Sequence, residues 1–228
     1  MKWLLDLFTS SLGRKLVMAL TGLFLILFLA VHLSGNLQLL KNDGGRAFNV
    51  YAEFMTTNPV IKVISYGNYT FILLHIFLAV VLTQKNRSAR GPEGYKVTSG
   101  RSSPWSSRNM GILGTIILIF LVIHLKDFWA QMHWGGIPTE NYDGHEVKNL
   151  YRVVAFAFSQ GWYVALYVIC MVGLGFHLWH GFASAFQTLG LNHQKYNPII
   201  KIVGKAFAVI VPALFAWIPI MMFFVPNK

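Results

Sequence analysis

Apolar residues occur along the chain in long runs, separated by short polar stretches. Five of the runs approach or exceed the roughly 20 residues that a helix needs to cross a hydrocarbon core of about 30 Å. They cover about 15–40, 60–83, 110–129, 151–188 and 199–225. The predicted fold is therefore all-α: an integral membrane protein of five transmembrane helices. The fourth run is too long for the hydrocarbon alone at a rise of about 1.5 Å per residue. It either extends past the membrane or breaks near Ser159-Gln160-Gly161. Pro212 and Pro219 lie inside the fifth run and are expected to kink it, because each removes a backbone donor.

Composition agrees with this reading. Apolar types make up 55% of the 228 residues and charged types 12%, about half the charged share of a soluble domain. The net charge of +11 raises the question of nucleic acid. The cations, however, lie between apolar runs instead of forming a stripe on a soluble fold, and no nucleic-acid partner is expected. Cys170 is the single cysteine. One cysteine excludes an internal disulfide, a CxxCH heme attachment and an iron–sulfur cluster on this chain, and Cys170 is expected to be a small packing residue. Residues 1–11 lack a small-residue cleavage site after a short apolar core, so the first run is expected to be a retained helix.

The loops set an orientation. With the N-terminus cytoplasmic, twelve of the 19 cations fall inside: Lys2, Arg14, Lys15, Lys85, Arg87, Arg90, Lys96, Arg101, Arg108, Lys195, Lys201 and Lys205. The excess places that side in the cytoplasm. Six of the eight acids, Asp43, Glu53, Asp127, Glu140, Asp143 and Glu146, fall outside. Five spans then leave the C-terminus outside. The basic, Gly/Pro/Ser-rich segment 85–108 is a cytoplasmic loop that suits either a docked partner or anionic lipid.

The chemistry lies in the histidines. Of eight, His133, His145 and His193 lie in or near loops. His32, His75, His124, His177 and His180 lie inside apolar runs, where an ionisable side chain is costly and must find a partner. Taken singly, each is as well explained as a hydrogen-bonding link between helices. As a set they sort by depth. The first and third helices run outward, with His32 and His124 toward their outer ends. The second and fourth run inward, with His75 and either His177 or His180 toward their inner ends. Two histidines from two helices at one depth are what bis-imidazole ligation of a heme requires. Two such pairs give two hemes and an electron path across the membrane. Gly22 and Gly114 each stand ten residues before a histidine of the outer pair, His32 and His124 respectively. A glycine there leaves room for a flat macrocycle, and small residues also simply pack helices. The fifth helix has no histidine and is expected to flank the bundle formed by the other four.

The motifs TGLFLILFLAVHL around His32, LLHIFLAV around His75, FLVIHL around His124 and FHLWHGFASAFQTLG around His177 resemble those of a known family. It is the single-chain, five-helix, diheme cytochrome b anchor of succinate:quinone oxidoreductases, the succinate dehydrogenases and fumarate reductases. The resemblance covers nearly the whole chain. It implies a heme-binding four-helix bundle plus one flanking helix and two hemes b, with His32 paired to His124 and His75 to a histidine of the fourth helix. Glycines four and about thirteen residues after the fourth ligand match Gly181 and Gly190 when that ligand is His177. From His180 those positions hold Ser184 and His193, so the family pattern selects His177, with His180 as the alternative. It also implies a quinone substrate, menaquinone by likeness, and flavoprotein and iron–sulfur partner subunits on the cytoplasmic side of a bacterial inner membrane. Dicarboxylate chemistry would belong to those partners. Glu53 is the nearest counterpart of the carboxylate that some members use to accept quinol protons, though a solvated loop acid is the slightly favoured reading. Some fumarate-reducing members carry a glutamate two residues before the fourth ligand; here that residue is Gly175, so that proton route is not expected in that form.

Two other readings accommodate the histidines. The cytochrome b subunit of a hydrogenase, formate dehydrogenase or nitrate reductase would carry the same hemes with a different partner. A proton-coupled transporter would use intramembrane histidines without heme, but would ordinarily add a chain of intramembrane acids or lysines, and no such chain accompanies these histidines.

Overall fold

The computed structural model describes residues 9–91 and 105–225. Readings that rest on residues 1–8, on residues 226–228, and on most of the basic segment, 92–104, lie outside the described residues. Seven helices carry the fold: α1 (Ser11–Asn36), α2 (Arg46–Thr57), α3 (Pro59–Arg90), α4 (Met110–His124), α5 (Leu150–Phe158), α6 (Gly161–Thr188) and α7 (Asn197–Phe224). A π-helical turn, Leu125–Trp129, and a last α-turn, Ala130–Trp134, continue α4. Five segments are long and apolar enough to cross a membrane: Ser11–Leu40, Pro59–Ala89, Met110–Trp134, Gly161–Thr188 and Asn197–Phe224. The chain is thus a mostly helical, multi-pass membrane protein.

The helices begin where short polar side chains can take up their first backbone N–H groups. Ser10 Oγ accepts from Gly13 N at 3.0 Å at the start of α1. Asp43 accepts from Gly45 N and Ala47 N, both at 3.0 Å, ahead of α2. Asn58 accepts from Val60 N and Ile61 N at 3.0 and 3.2 Å, with Pro59 in the first position of α3, where its missing N–H costs nothing. Asn149 accepts from Arg152 N at 3.0 Å and opens α5. The end of α6 is closed by Gly190 at φ 78°, with Leu191 N bonded back to Phe186 O at 3.0 Å, the six-to-one bond of a left-handed helix cap.

The long fourth run breaks at Ser159-Gln160 into α5 and α6, the second of the two outcomes expected for it. Other features depart from the sequence reading. The second span continues seven residues past 83 to Arg90, and the third continues to Trp134. The stretch between the first two spans holds the amphipathic helix α2. The fold is also not purely helical, since β1 (Thr139–Tyr142) and β2 (His145–Lys148) form an antiparallel hairpin. Four-residue strands beside two glycines gave no alternation long enough to predict them. Helix α7 is one helix with Pro212 and Pro219 inside it, as the single fifth run implied.

The chain divides into two compact units. One contains the described residues of Met1–Phe28, Gly67–Thr115 and Gly175–Val209; the other contains Leu29–Tyr66, Ile116–Leu174 and those of Ile210–Lys228. Every spanning segment contributes a part to each. In the first unit, α1 meets α3 through the Phe24 and Phe71 rings, 4.7 Å between centroids, and α6 meets α7 through Phe182 and Phe207. A Cβ on Gly204 would strike the Phe182 ring, so the missing side chain permits that approach. In the second unit, Asn49 is fully buried and joins three elements. Its amide nitrogen donates to Tyr142 Oη at 3.0 Å and Asn149 Oδ1 at 3.1 Å, and its Oδ1 accepts from Tyr151 N at 2.8 Å. Gly45, at φ 87°, lies so close to the Tyr151 ring that a Cβ would overlap it.

Apolar side chains are distributed as a membrane solvent requires. Leu27, Val63, Leu73, Ile119, Ile169 and Ile202 are large, apolar and exposed. In water such a surface would drive aggregation; facing lipid it is the low-energy arrangement. Helix α6 is the most enclosed span. Its buried residues Tyr163, Tyr167, Cys170, Met171, Leu178, Phe182 and Ala185 recur at helical spacing. Cys170 is free and buried among them.

Candidate functional site

Four intramembrane histidines meet as two pairs. In the second unit, His32 of α1 faces His124 of α4, ring centroids 5.7 Å apart and planes at 89°. In the first, His75 of α3 faces His177 of α6, centroids 6.5 Å apart and planes at 62°. His180, one turn beyond His177, is half-buried; the ring that faces His75 is that of His177.

His75 is held from behind by a residue that the histidine pattern did not reveal. Its Nδ1 lies 3.0 Å from Thr21 Oγ1, and Thr21 is 2% exposed. The Thr21 hydroxyl also lies 2.9 Å from Val17 O and 3.0 Å from Met18 O. A carbonyl can only accept. Both contacts become hydrogen bonds when Thr21 donates to the helix and accepts from His75 Nδ1–H. That fixes the tautomer and leaves the Nε2 lone pair free. A hydrogen bond of this kind is the usual support of a metal-bound imidazole. The signal in the sequence was a threonine in an otherwise apolar stretch, ALTGLF.

His177 Nδ1 is buried without a hydrogen-bond partner, a state that ordinarily calls for an explanation. Around His32, Asn36 Nδ2 donates to the His32 carbonyl at 2.8 Å and lies 3.4 Å from the ring nitrogens. The ring also packs on Phe215 of α7, centroids 5.7 Å apart. His124 sits among Phe120, Phe128 and Tyr167. Its Nδ1 is 3.3 Å from Tyr167 Oη. Tyr167 Oη is 3.3 Å from Tyr163 Oη, which donates to Asp127 Oδ2 at 2.9 Å. Asp127 lies in the π-turn after His124, a helix irregularity that recurs at functional sites.

No family model matches the chain, and no curated protein and no solved structure matches it.

The donor set suits a metal that needs two protein ligands. Among the described residues there is no group of three or more His, Cys, Asp or Glu able to hold a bare metal ion. A heme supplies four of the iron's ligands itself and asks for one imidazole on each side. The ring centres of the two pairs lie 5.7 and 6.5 Å apart, so each pair would hold one such group through its two imidazoles. A Cβ on Gly114 or on Gly181 would meet nothing within 4 Å, and both glycines lie in the unit of His75 and His177.

Gly22 and Gly114 were expected to make room at the outer pair. Ten residues along a helix is about 15 Å, and both fall in the other unit. A Cβ on Gly22 would lie 3.4 Å from His75 Cε1. Gly22 therefore borders His75 and not the histidine it precedes, and Gly114 lies in the same unit.

Glu53 lies in α2, half-buried, and its backbone carbonyl accepts from the hydroxyls of Thr56 and Thr57 at 3.1 and 2.8 Å. Of the loop histidines, His133 stacks on Trp129 with centroids 4.3 Å apart, and His145 lies in the hairpin.

Proposed function

We propose that this chain is the membrane anchor and electron-transfer subunit of a succinate:quinone oxidoreductase, a diheme cytochrome b. One observation carries the reading: two imidazole pairs from four different helices, one in each compact unit, with ring centres 5.7 and 6.5 Å apart. His32 and His124 would hold one heme b, and His75 and His177 the other. When bound, these groups supply one-electron chemistry between a quinone and a redox partner. The chain's part is to ligate, to orient the imidazoles through Thr21 and Tyr167, and to exclude water with the surrounding aromatic and aliphatic side chains.

The same reading includes a quinone, menaquinone by likeness, with Glu53 as the group that exchanges its protons. It includes flavoprotein and iron–sulfur subunits docked on a basic cytoplasmic face, in a bacterial inner membrane, with the N-terminus inside and the C-terminus outside. Dicarboxylate conversion belongs to the partners.

The test is a dithionite-reduced minus oxidised spectrum of the chain purified in detergent, with heme quantified per polypeptide. About two b-type hemes per chain are expected from two bis-imidazole sites. A folded, colourless protein would remove the electron-carrier reading and leave a proton-coupled transporter to be tested. Co-purification with a subunit bearing covalent flavin is expected; a hydrogenase, formate dehydrogenase or nitrate reductase subunit in its place would change the partner.

A further inference from the structure

The polar contacts behind His124 form a chain whose direction can be worked out from its end. Asp127 is an acid whose ionised carboxylate only accepts. Tyr163 therefore donates its single proton to Asp127 Oδ2, at 2.9 Å. The Tyr163–Tyr167 contact at 3.3 Å is then a hydrogen bond only if Tyr167 donates. With the Tyr167 proton used, the 3.3 Å contact to His124 is a hydrogen bond only if the imidazole Nδ1–H donates. Every hydrogen points one way, from ring to carboxylate, and Nε2 of His124 is left as the bare nitrogen.

We propose that Tyr167, Tyr163 and Asp127 are positioning residues for His124, a relay that fixes its tautomer and passes the electron-donating influence of the carboxylate to the imidazole. A carboxylate hydrogen-bonded to the far nitrogen of a metal-bound histidine raises the basicity of the ligand. Here two phenols carry that influence from an acid too far away to touch the ring. The environment suits the task. Tyr163 and Tyr167 are 5% and 6% exposed, so water does not short-circuit the chain, and neighbouring hydrogen bonds polarise one another most strongly where the surroundings are apolar. Asp127, with its side chain 28% exposed, sits at the wetter end. The charged group beside it is Lys126, 3.4 Å away and 81% exposed, where solvent screens much of its charge. Arg152, on the neighbouring α5, is exposed. The two tyrosines face Asp127 from α6. The equivalent support of His75 ends on a neutral backbone carbonyl, so the two histidine pairs are tuned differently.

The relay rests on the heme reading only for its consequence. Its geometry is testable in the heme-free chain, where Nε2 of His124 is unligated. Nitrogen-15 NMR of the full chain, labelled at histidine, reads the tautomer of each buried ring. His124 is expected to be protonated at Nδ1, and Tyr167→Phe is expected to release it into a mixture of tautomers. A His124 that is Nε2-protonated in the heme-free parent chain, or unmoved there by Tyr167→Phe, overturns the relay. In the heme-loaded chain, redox titration of the visible bands reads the second half. Asp127→Asn and Tyr163→Phe are expected to make one of two transitions easier to reduce by about tenfold, ~59 mV for one electron, with the other unmoved. Because Tyr163→Phe leaves Tyr167 and Asp127 in place, it keeps the test available should Tyr167→Phe fold poorly. Two unmoved transitions, or two that shift together, would overturn the proposal. A chain without heme but with the expected tautomer would end the electron-carrier reading and leave the relay standing.

Discussion

The Thr21 hydroxyl has carbonyls of its own helix to donate to, and this leaves its oxygen to receive the His75 ring. Replacing it with valine keeps the shape and removes the acceptor. A His75 N–H is then stranded in an apolar interior, where an interhelical hydrogen bond contributes about 0.6 kcal/mol on average and up to about 1.7. The effect on a bound metal is expected to be larger, since removing the support of a ligating histidine typically weakens binding about 10–100-fold. In a titration of heme into the purified chain, Thr21→Val is expected to weaken one of two sites by that factor. Thr21→Ser, which restores the oxygen, is expected to bind as the parent does. Equal binding by all three would mean that His75 is held by packing alone. At this scale the sequence was partly legible. A histidine in an apolar run is conspicuous because its cost in hydrocarbon must be offset by a partner. Thr21, Tyr163 and Tyr167 are not conspicuous, since threonine and tyrosine in a span usually serve helix packing or the interface, and only coordinates reveal which oxygen lies behind which ring.

The helices were legible for a physical reason that the short elements lack. A spanning helix must satisfy every backbone group within itself, so its apolar run is long and self-contained. The hairpin and α2 depend on distant partners. Asn49, Asn149 and Tyr142 are far apart in the chain, and a polar knot of this kind has no local signature. The same knot carries a prediction. Asn49→Ala removes the acceptor for the buried Tyr151 N–H and the donor to two oxygens. A stranded buried backbone group costs about 1–3 kcal/mol. The apparent unfolding midpoint in detergent is therefore expected to fall, while the His75–His177 unit, which lacks these residues, keeps its spectrum and tautomers. Gly45→Ala should act on the same joint by another route, because it forces an alanine into φ 87° and against the Tyr151 ring. The two substitutions share Tyr151, so their effects are expected to be less than additive.

Across the whole molecule, each spanning segment is divided between two units, and each unit contains one imidazole pair. This division explains why glycines spaced ten residues from one pair lie in the unit of the other, which the order of residues along one helix could not reveal. It also makes the pairs separable. The contacts that hold His75 in place, Thr21 and the ring of His177, all belong to the first unit. The contacts around His124, which are His32, Phe128 and Tyr167, all belong to the second. Removing one imidazole should therefore abolish one site and spare the other. On the proposed diheme reading, His32→Ala and His75→Ala are each expected to reduce heme content from about two per chain to about one, the loss expected when one bis-imidazole site goes. The two remaining spectra should differ, because the surviving ligands end on a carboxylate in one case and on a backbone carbonyl in the other. His180→Ala should leave both sites, since the ring that faces His75 is His177. If either single substitution removed both hemes, the units would not be independent binding sites, and the His75 and His124 supports would have to be read as parts of one cooperative core.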